Sequence, residues 1–173
     1  IYARYGRERA ALAAAVITYR TQGALREAGR ARGRDLAAIE ALTRLPDSRV
    51  RRVSSLYRTA PVGIRGQPDF INAVAAIDTG LTPHALLSAL FEVEAQFGRR
   101  RDFHHAPRTL DLDLLLYGQR VLAGPALSLP HPRLHLRAFV LRPLLELAPG
   151  LQHPVLGDLA PWAEAAASQA LQV

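Results

Sequence analysis

Two aspartates set two residues apart in an otherwise apolar run, Asp111 and Asp113 within Leu110 to Tyr117, have the types and spacing to do chemistry. The run is short and apolar enough to be a buried strand, with Pro107 before it and Gly118 closing it. Side chains alternate across a strand, so both carboxylates take one face and Leu110, Leu112 and Leu114 take the other. Two acids side by side on a core strand cost free energy through desolvation and like-charge repulsion unless cations neutralise them. A divalent metal is the natural partner. The plain alternative is a half-solvated strand whose acids meet water.

Arg99, Arg100, Arg101 and Arg108 lie just upstream, so a cationic loop feeds into an anionic strand. That division suits a metal-bound polyphosphate, with carboxylates holding the metal and guanidiniums the phosphate oxygens. The same residues also read as a surface salt-bridge cluster of little energetic weight. Phe70 and Asn72, at i and i+2 of another strand, place a ring and an amide on one face. They suit a flat heterocycle, which the ring would stack on and the amide would read through its paired donor and acceptor. Phe139 could supply a second ring. Alternatively Phe70 is core and Asn72 satisfies backbone groups. His131, beside arginines, reads as a hydrogen-bond donor to an anion or as a loop residue. Its four-residue spacing to His135 would suit zinc on a helix, which Pro132 disfavours.

The elements that position these residues follow from periodicity and breakers. Ala15 to Tyr19 reads as a first strand, and the basic run Arg20 to Arg34 as solvated surface. Asp35 caps a helix with Leu36, Ile39, Leu42 and Leu45 at helical spacing, ended by Pro46 and Asp47. Val50 to Thr59 is a second strand, the stretch with Pro61, Gly63, Gly66 and Pro68 a loop, and Phe70 to Thr79 a third strand. Thr82 and Pro83 start a helix striped by Leu86, Leu87, Leu90, Val93 and Phe97 and ended by Gly98. The aspartate strand completes a βαββαβ order. This predicts an α+β, ferredoxin-like sandwich, an antiparallel sheet with helices packed on it. Beyond it, Gln119 to Leu122 could turn back as a short strand. Phe139 to Leu147 is a helix, and a last helix from Pro161 to Leu171 packs Trp162 against the body, making a C-terminal helical extension. Residues 1–14 read as a lead-in or tail without function, and residues 15–173 as a single domain.

Composition narrows the classes. The 173 residues are 49% hydrophobic, enough for one domain with a real core. Without cysteine there is no disulfide framework, thiolate metal site or cysteine nucleophile. No apolar run approaches the roughly 18 residues of a membrane span and no signal peptide is visible, so a soluble cytoplasmic protein is expected. The net charge of +7 invites nucleic acid, but aromatics are only 6% and do not alternate with the basic residues as a stacking platform would require. Every basic residue counted is arginine, which excludes the lysine-containing phosphate loop. Glycine-rich dinucleotide, zinc-protease and serine-hydrolase signatures are likewise missing.

Four stretches occur in the order and spacing of a known family: Arg58-Thr59-Ala60-Pro61-Val62-Gly63, Gln67-Pro68-Asp69-Phe70-Ile71-Asn72, Pro107-Arg108-Thr109-Leu110-Asp111-Leu112-Asp113 and Leu129-Pro130-His131-Pro132-Arg133. Over roughly Leu45 to Leu151 the chain resembles the 6-hydroxymethyl-7,8-dihydropterin pyrophosphokinases of folate biosynthesis. The resemblance implies transfer of the β,γ-diphosphate of ATP to the pterin hydroxymethyl group, leaving AMP. It implies two magnesium ions on Asp111 and Asp113, with Arg99, Arg101 and Arg108 completing the catalytic set. Glu94, Leu114, Ser128, His131 and Arg137 join those arginines at ATP. Phe70 and Phe139 would sandwich the pterin, with Asn72, Thr59, Ala60 and Val62 reading its edge. A monomer acting on small molecules, without nucleic acid or membrane, is expected.

Some stretches depart from the family's pattern. Arg20-Thr21-Gln22-Gly23 stands where the family reads Gly-Ser-Asn, and His104-His105-Ala106-Pro107 where it reads Arg-Trp-Gly-Pro. Phe91 replaces a common glutamine and Ala126 a common arginine. The alternatives are therefore a relative that binds pterin or nucleotide without turnover, and a ferredoxin-like nucleic-acid-binding module, which leaves the two aspartates unexplained.

Overall fold

The computed structural model describes residues 11–20, 37–59, 69–97, 110–169, 171 and 173, the first ten by their backbone alone. Strand β1 spans Ala11–Arg20, helix α1 residues 37–43, β2 Ser48–Val53, β3 Tyr57–Thr59, β4 Phe70–Thr79, helix α2 Pro83–Gln96 and β5 Leu110–Tyr117. These five strands form one antiparallel sheet in the order β2-β4-β1-β5, with β3 also paired to β4. Two small hairpins follow, β6 (Leu122–Ala123) with β7 (Ser128–Leu129), and β8 (Gln152–His153) with β9 (Gly157–Asp158). Between them lie a 3-10 turn, Leu134–Leu136, and helix α3, Ala138–Leu147. Helix α4, Ala160–Ala165, comes last.

Each face of the sheet has its own core. On the first, Leu86, Leu90 and Val93 of α2 and Leu42 of α1 meet Ala75 and Ile77 of β4 and Leu110, Leu112 and Leu114 of β5. Helix α2 starts as its sequence predicts. Thr82 is extended (φ −67°, ψ 160°), its hydroxyl accepts from the Ala85 N–H at 3.3 Å, and Pro83 occupies a position with no helical N–H bond to lose. On the second face Leu141 and Leu144 of α3 cover Val74, Leu115 and Leu116. Leu115 and Leu116 share that face because the β1–β5 register slips at Ala14/Ala15, which makes Leu115 the extra residue of a bulge.

Several local expectations change. The first strand begins at Ala11 rather than Ala15, so residues 11–14 belong to the sheet. Alanine is a weak strand former, but Ala11 to Ala14 pair with Thr79 to Ala76, and Ala13 and Ala14 also with β5. Pairing on both sides overrides propensity. Val50 to Thr59 is two strands because the Ser54 hydroxyl, not a backbone carbonyl, accepts from the Val74 N–H at 2.9 Å. The short strand after Gly118 is Leu122–Ala123. The last helix stops at Ala165, after which the chain turns through Ala167 N–H to Glu164 O and Gln169 N–H to Ala166 O. Trp162 packs on the second core, with its ring edge-on to His135 at 4.7 Å. The proposed Asp35 cap and Leu36 lie outside the described residues.

One clamp joins α3 to the outer strands. The Glu146 carboxylate accepts from the Ser55 N–H at 2.9 Å, the Ser55 hydroxyl at 3.0 Å and the Tyr57 hydroxyl at 2.9 Å. Desolvation pushes the Glu146 pKa up, but these donors outweigh it and the net pKa falls below the ordinary value. A depressed folded-state pKa gives stability that is present above the unfolded value, about 4.3, and lost as pH falls through the folded one. Glu146 is exposed, so we expect no more than about 1 kcal/mol. Thermal melts should show Glu146→Gln less stable than the parent at pH 7 by a few degrees, about 2–4 °C per kcal/mol. The gap should close below roughly pH 4; a gap that persists to acid pH would show that the charge contributes nothing.

Candidate active site

Helix α3 covers only part of the second sheet face. Val74, Leu115 and Leu116 lie buried beneath it, while Phe70, Asp111 and Asp113, further along the strands, stay half-buried. The register aligns them. Thr18 of β1 stands opposite both Asn72 of β4 and Asp111 of β5, and Val16 opposite both Val74 and Asp113. Asn72 and Asp111 therefore occupy one row two strand spacings apart, roughly 10 Å. The heterocycle-type pair Phe70/Asn72 and the acidic pair share a face with one strand between them.

At the acidic end, Asp113 Oδ2 lies 3.8 Å from Arg137 Nη1 and 3.9 Å from His131 Nε2. Both distances are too long for hydrogen bonds, so the Arg137 guanidinium and the His131 ring flank this carboxylate without saturating it. Two hard oxygen donor groups on one face, offset by nearby positive charge, fit a magnesium ion. Among the described residues there is no cluster of three or more His, Cys, Asp or Glu that could hold a metal. Magnesium commonly takes one or two carboxylates and completes its shell with phosphate and water.

His131 is placed by its backbone, whose N–H donates to the Leu115 carbonyl at 2.8 Å, after a cis Leu129–Pro130 peptide bond. Its Nδ1 accepts from the Arg133 N–H at 3.2 Å, which assigns the ring proton of the neutral form to Nε2, on the side of Asp113. Burial pushes the His131 pKa down; Asp113 opposes this, and Arg137 and Arg133 add to it. The net direction favours a neutral ring that still donates. The Arg137 guanidinium stands 5.5 Å over the Phe139 ring, a cation–π contact at the start of α3.

Asn72 is 1% exposed. Its Nδ2 donates to the Thr59 hydroxyl at 3.0 Å and the Tyr57 carbonyl at 3.3 Å, so β3 sets the orientation of the amide. Glu94 of α2 is equally buried, and its Oε1 accepts from the Leu112 N–H at 2.7 Å, tying the helix to the strand between the two aspartates. Ser128 is half-buried and donates to the Gly124 carbonyl at 3.3 Å. Leu114 sits in the first core, on the face away from the aspartates, so only its backbone could reach a ligand. Arg99, Arg101, Arg108, Ala60 and Val62 lie outside the described residues.

The 7,8-dihydro-6-hydroxymethylpterin-pyrophosphokinase (HPPK) family model matches residues 28–149. The chain belongs to this family. A Pseudomonas aeruginosa protein named 2-amino-4-hydroxy-6-hydroxymethyldihydropteridine pyrophosphokinase is 51% identical over 118 residues, 68% of this chain and 73% of that protein. A Haemophilus influenzae protein of the same name is 42% identical over 118 residues, covering 68% and 74%. The folic acid synthesis protein fol1 of Pneumocystis carinii is 39% identical over 122 residues, 70% of this chain but 16% of that longer protein. The HPPK match contains every site residue described above, from Thr59 to Phe139. One contributor was not singled out from the sequence. Arg133 raises the positive potential around His131 and Arg137, and its place after Pro-His-Pro was a usable signal.

Proposed function

We propose that this chain transfers the β,γ-diphosphate of ATP to the hydroxymethyl oxygen of 6-hydroxymethyl-7,8-dihydropterin, releasing AMP and the pterin diphosphate in folate biosynthesis. The carrying observation is the shared face: the Phe70/Asn72 pair and the Asp111/Asp113 pair look the same way one strand apart. That spacing of roughly 10 Å suits a bicyclic ring whose hydroxymethyl arm reaches toward the acids. Phe70 and Phe139 stack the ring, and Asn72, with Thr59, Ala60 and Val62, reads its edge. Asp111 and Asp113 would hold two magnesium ions, which would supply charge neutralisation at the triphosphate.

Arg99, Arg101, Arg108 and Arg137 face the phosphate oxygens, His131 donates from Nε2, and Glu94, Leu114 and Ser128 line the nucleotide end. The pterin oxygen forms its bond to the β-phosphorus as the bond to the α,β-bridging oxygen breaks. That oxygen leaves with AMP, and the hydroxyl proton goes to solvent. No side-chain nucleophile takes part, so positioning and electrostatics carry the rate. The fold reading that goes with this is ferredoxin-like, supported by the order β2-β4-β1-β5 with α1 and α2 on one face, and extended by α3 and α4 on the other. The protein acts as a cytoplasmic single-domain monomer on small molecules, without nucleic acid. Among the described residues no helix is long and apolar enough to cross a membrane.

The test is AMP release from ATP and magnesium. Release that requires the pterin is expected; a folded chain that binds pterin but releases no AMP would overturn the transfer reaction.

A further inference from the structure

Arg137 stands at the joint between the 3-10 turn and α3, with extended backbone angles (φ −121°, ψ 111°). Two soft backbone dihedrals at this one residue set the direction in which its side chain leaves the chain. As the N-cap of α3 it offers its carbonyl to the N–H groups of Val140 and Leu141 at 3.0 and 2.9 Å, but its side chain caps nothing. The first helical N–H, on Ala138, is capped from elsewhere. Gln169 Oε1 accepts from it at 2.9 Å, and Gln169 Nε2 donates to the Leu136 carbonyl at 2.9 Å. One amide thus bonds the backbone groups on either side of Arg137, as a neighbouring strand residue would. The tail is held in turn by Gln169 N–H to Ala166 O at 3.0 Å, by buried Ala166, and by Leu171 packed on the second core.

We infer that Gln169, in the part of the chain beyond the family match, is a positioning residue that sets Arg137 against the acidic pair. The amide of Gln169 presents the acceptor and the donor of this bridge on two separate atoms of one planar group. Removing it releases the Leu136 carbonyl and the Ala138 N–H on either side of Arg137 without touching any group that meets substrate. The inference rests on the proposed role of Arg137 at the phosphates.

A double-mutant cycle separates positioning from general support. With purified full chain, Gln169→Met, which keeps the length and removes both hydrogen bonds, should lower kcat/KM for magnesium-ATP about 10-fold, since small misplacements of phosphate-binding groups are costly. In an Arg137→Ala background the same change should cost less than about 2-fold, because the group it positions is gone. Thermal midpoints of all four proteins report any general loss of stability. An equal loss in both backgrounds, or none in the parent, would overturn the positioning role while leaving the transfer reaction intact. Absence of pterin-dependent AMP release by the parent would remove both.

Discussion

Replacing Asp111 and Asp113 together by asparagine lowers pterin-dependent AMP release by about 10³-fold or more. The size follows from what the pair is asked to do, since losing the groups that offset charge on a transferring phosphoryl removes stabilisation worth roughly 10³–10⁵ in rate. At Asp113 the expected change in stability is small. Asp113 keeps His131 and Arg137 at 3.9 and 3.8 Å, beyond hydrogen-bonding distance, so breaking these pairs costs little. Two like charges on one strand face repel in the absence of metal, and asparagine relieves that at nearly constant volume. Turnover with magnesium and calorimetry without it are the measurements. Activity within about tenfold of the parent would sink the metal role, whereas a large drop in midpoint would make the aspartates structural.

The second large effect is at Asn72. Asn72→Ala lowers kcat/KM for the pterin about 10²-fold, equivalent to about 2.7 kcal/mol, with KM for ATP nearly unchanged. Unlike the aspartate variant it also lowers stability, by about 1–3 kcal/mol, because the Tyr57 carbonyl and Thr59 hydroxyl lose a buried donor. At about 2–4 °C per kcal/mol the midpoint falls by several degrees. Thr59→Val, which removes one of the two contacts to the amide and keeps the shape, should show a smaller loss in the same direction. If both kinetic constants for the pterin survive Asn72→Ala, the amide serves β3 alone and the edge of the heterocycle is read elsewhere.

Much of this was legible in the chain. Strand periodicity separated Asp111 and Asp113 from Leu110, Leu112 and Leu114, and Thr82-Pro83 marked the start of α2 to the residue, because both signals are local and depend on a handful of neighbouring dihedrals. Tertiary context decided the rest. Ala11 to Ala14 are strand because β4 pairs with all four and β5 with Ala13 and Ala14 as well, and Val50 to Thr59 divides because a serine hydroxyl takes a rung of the ladder. The sequence alone determined which side chains could hold metal, phosphate and a flat ring, since that is a matter of residue type and short spacing. Only the tertiary structure decided that Asn72 and Asp111 fall in one row across β1, that Tyr57 and Thr59 aim the amide, and that Gln169 bridges the joint at Arg137. Those relations join residues tens of positions apart through sheet register and core packing, for which no local periodicity carries a signal.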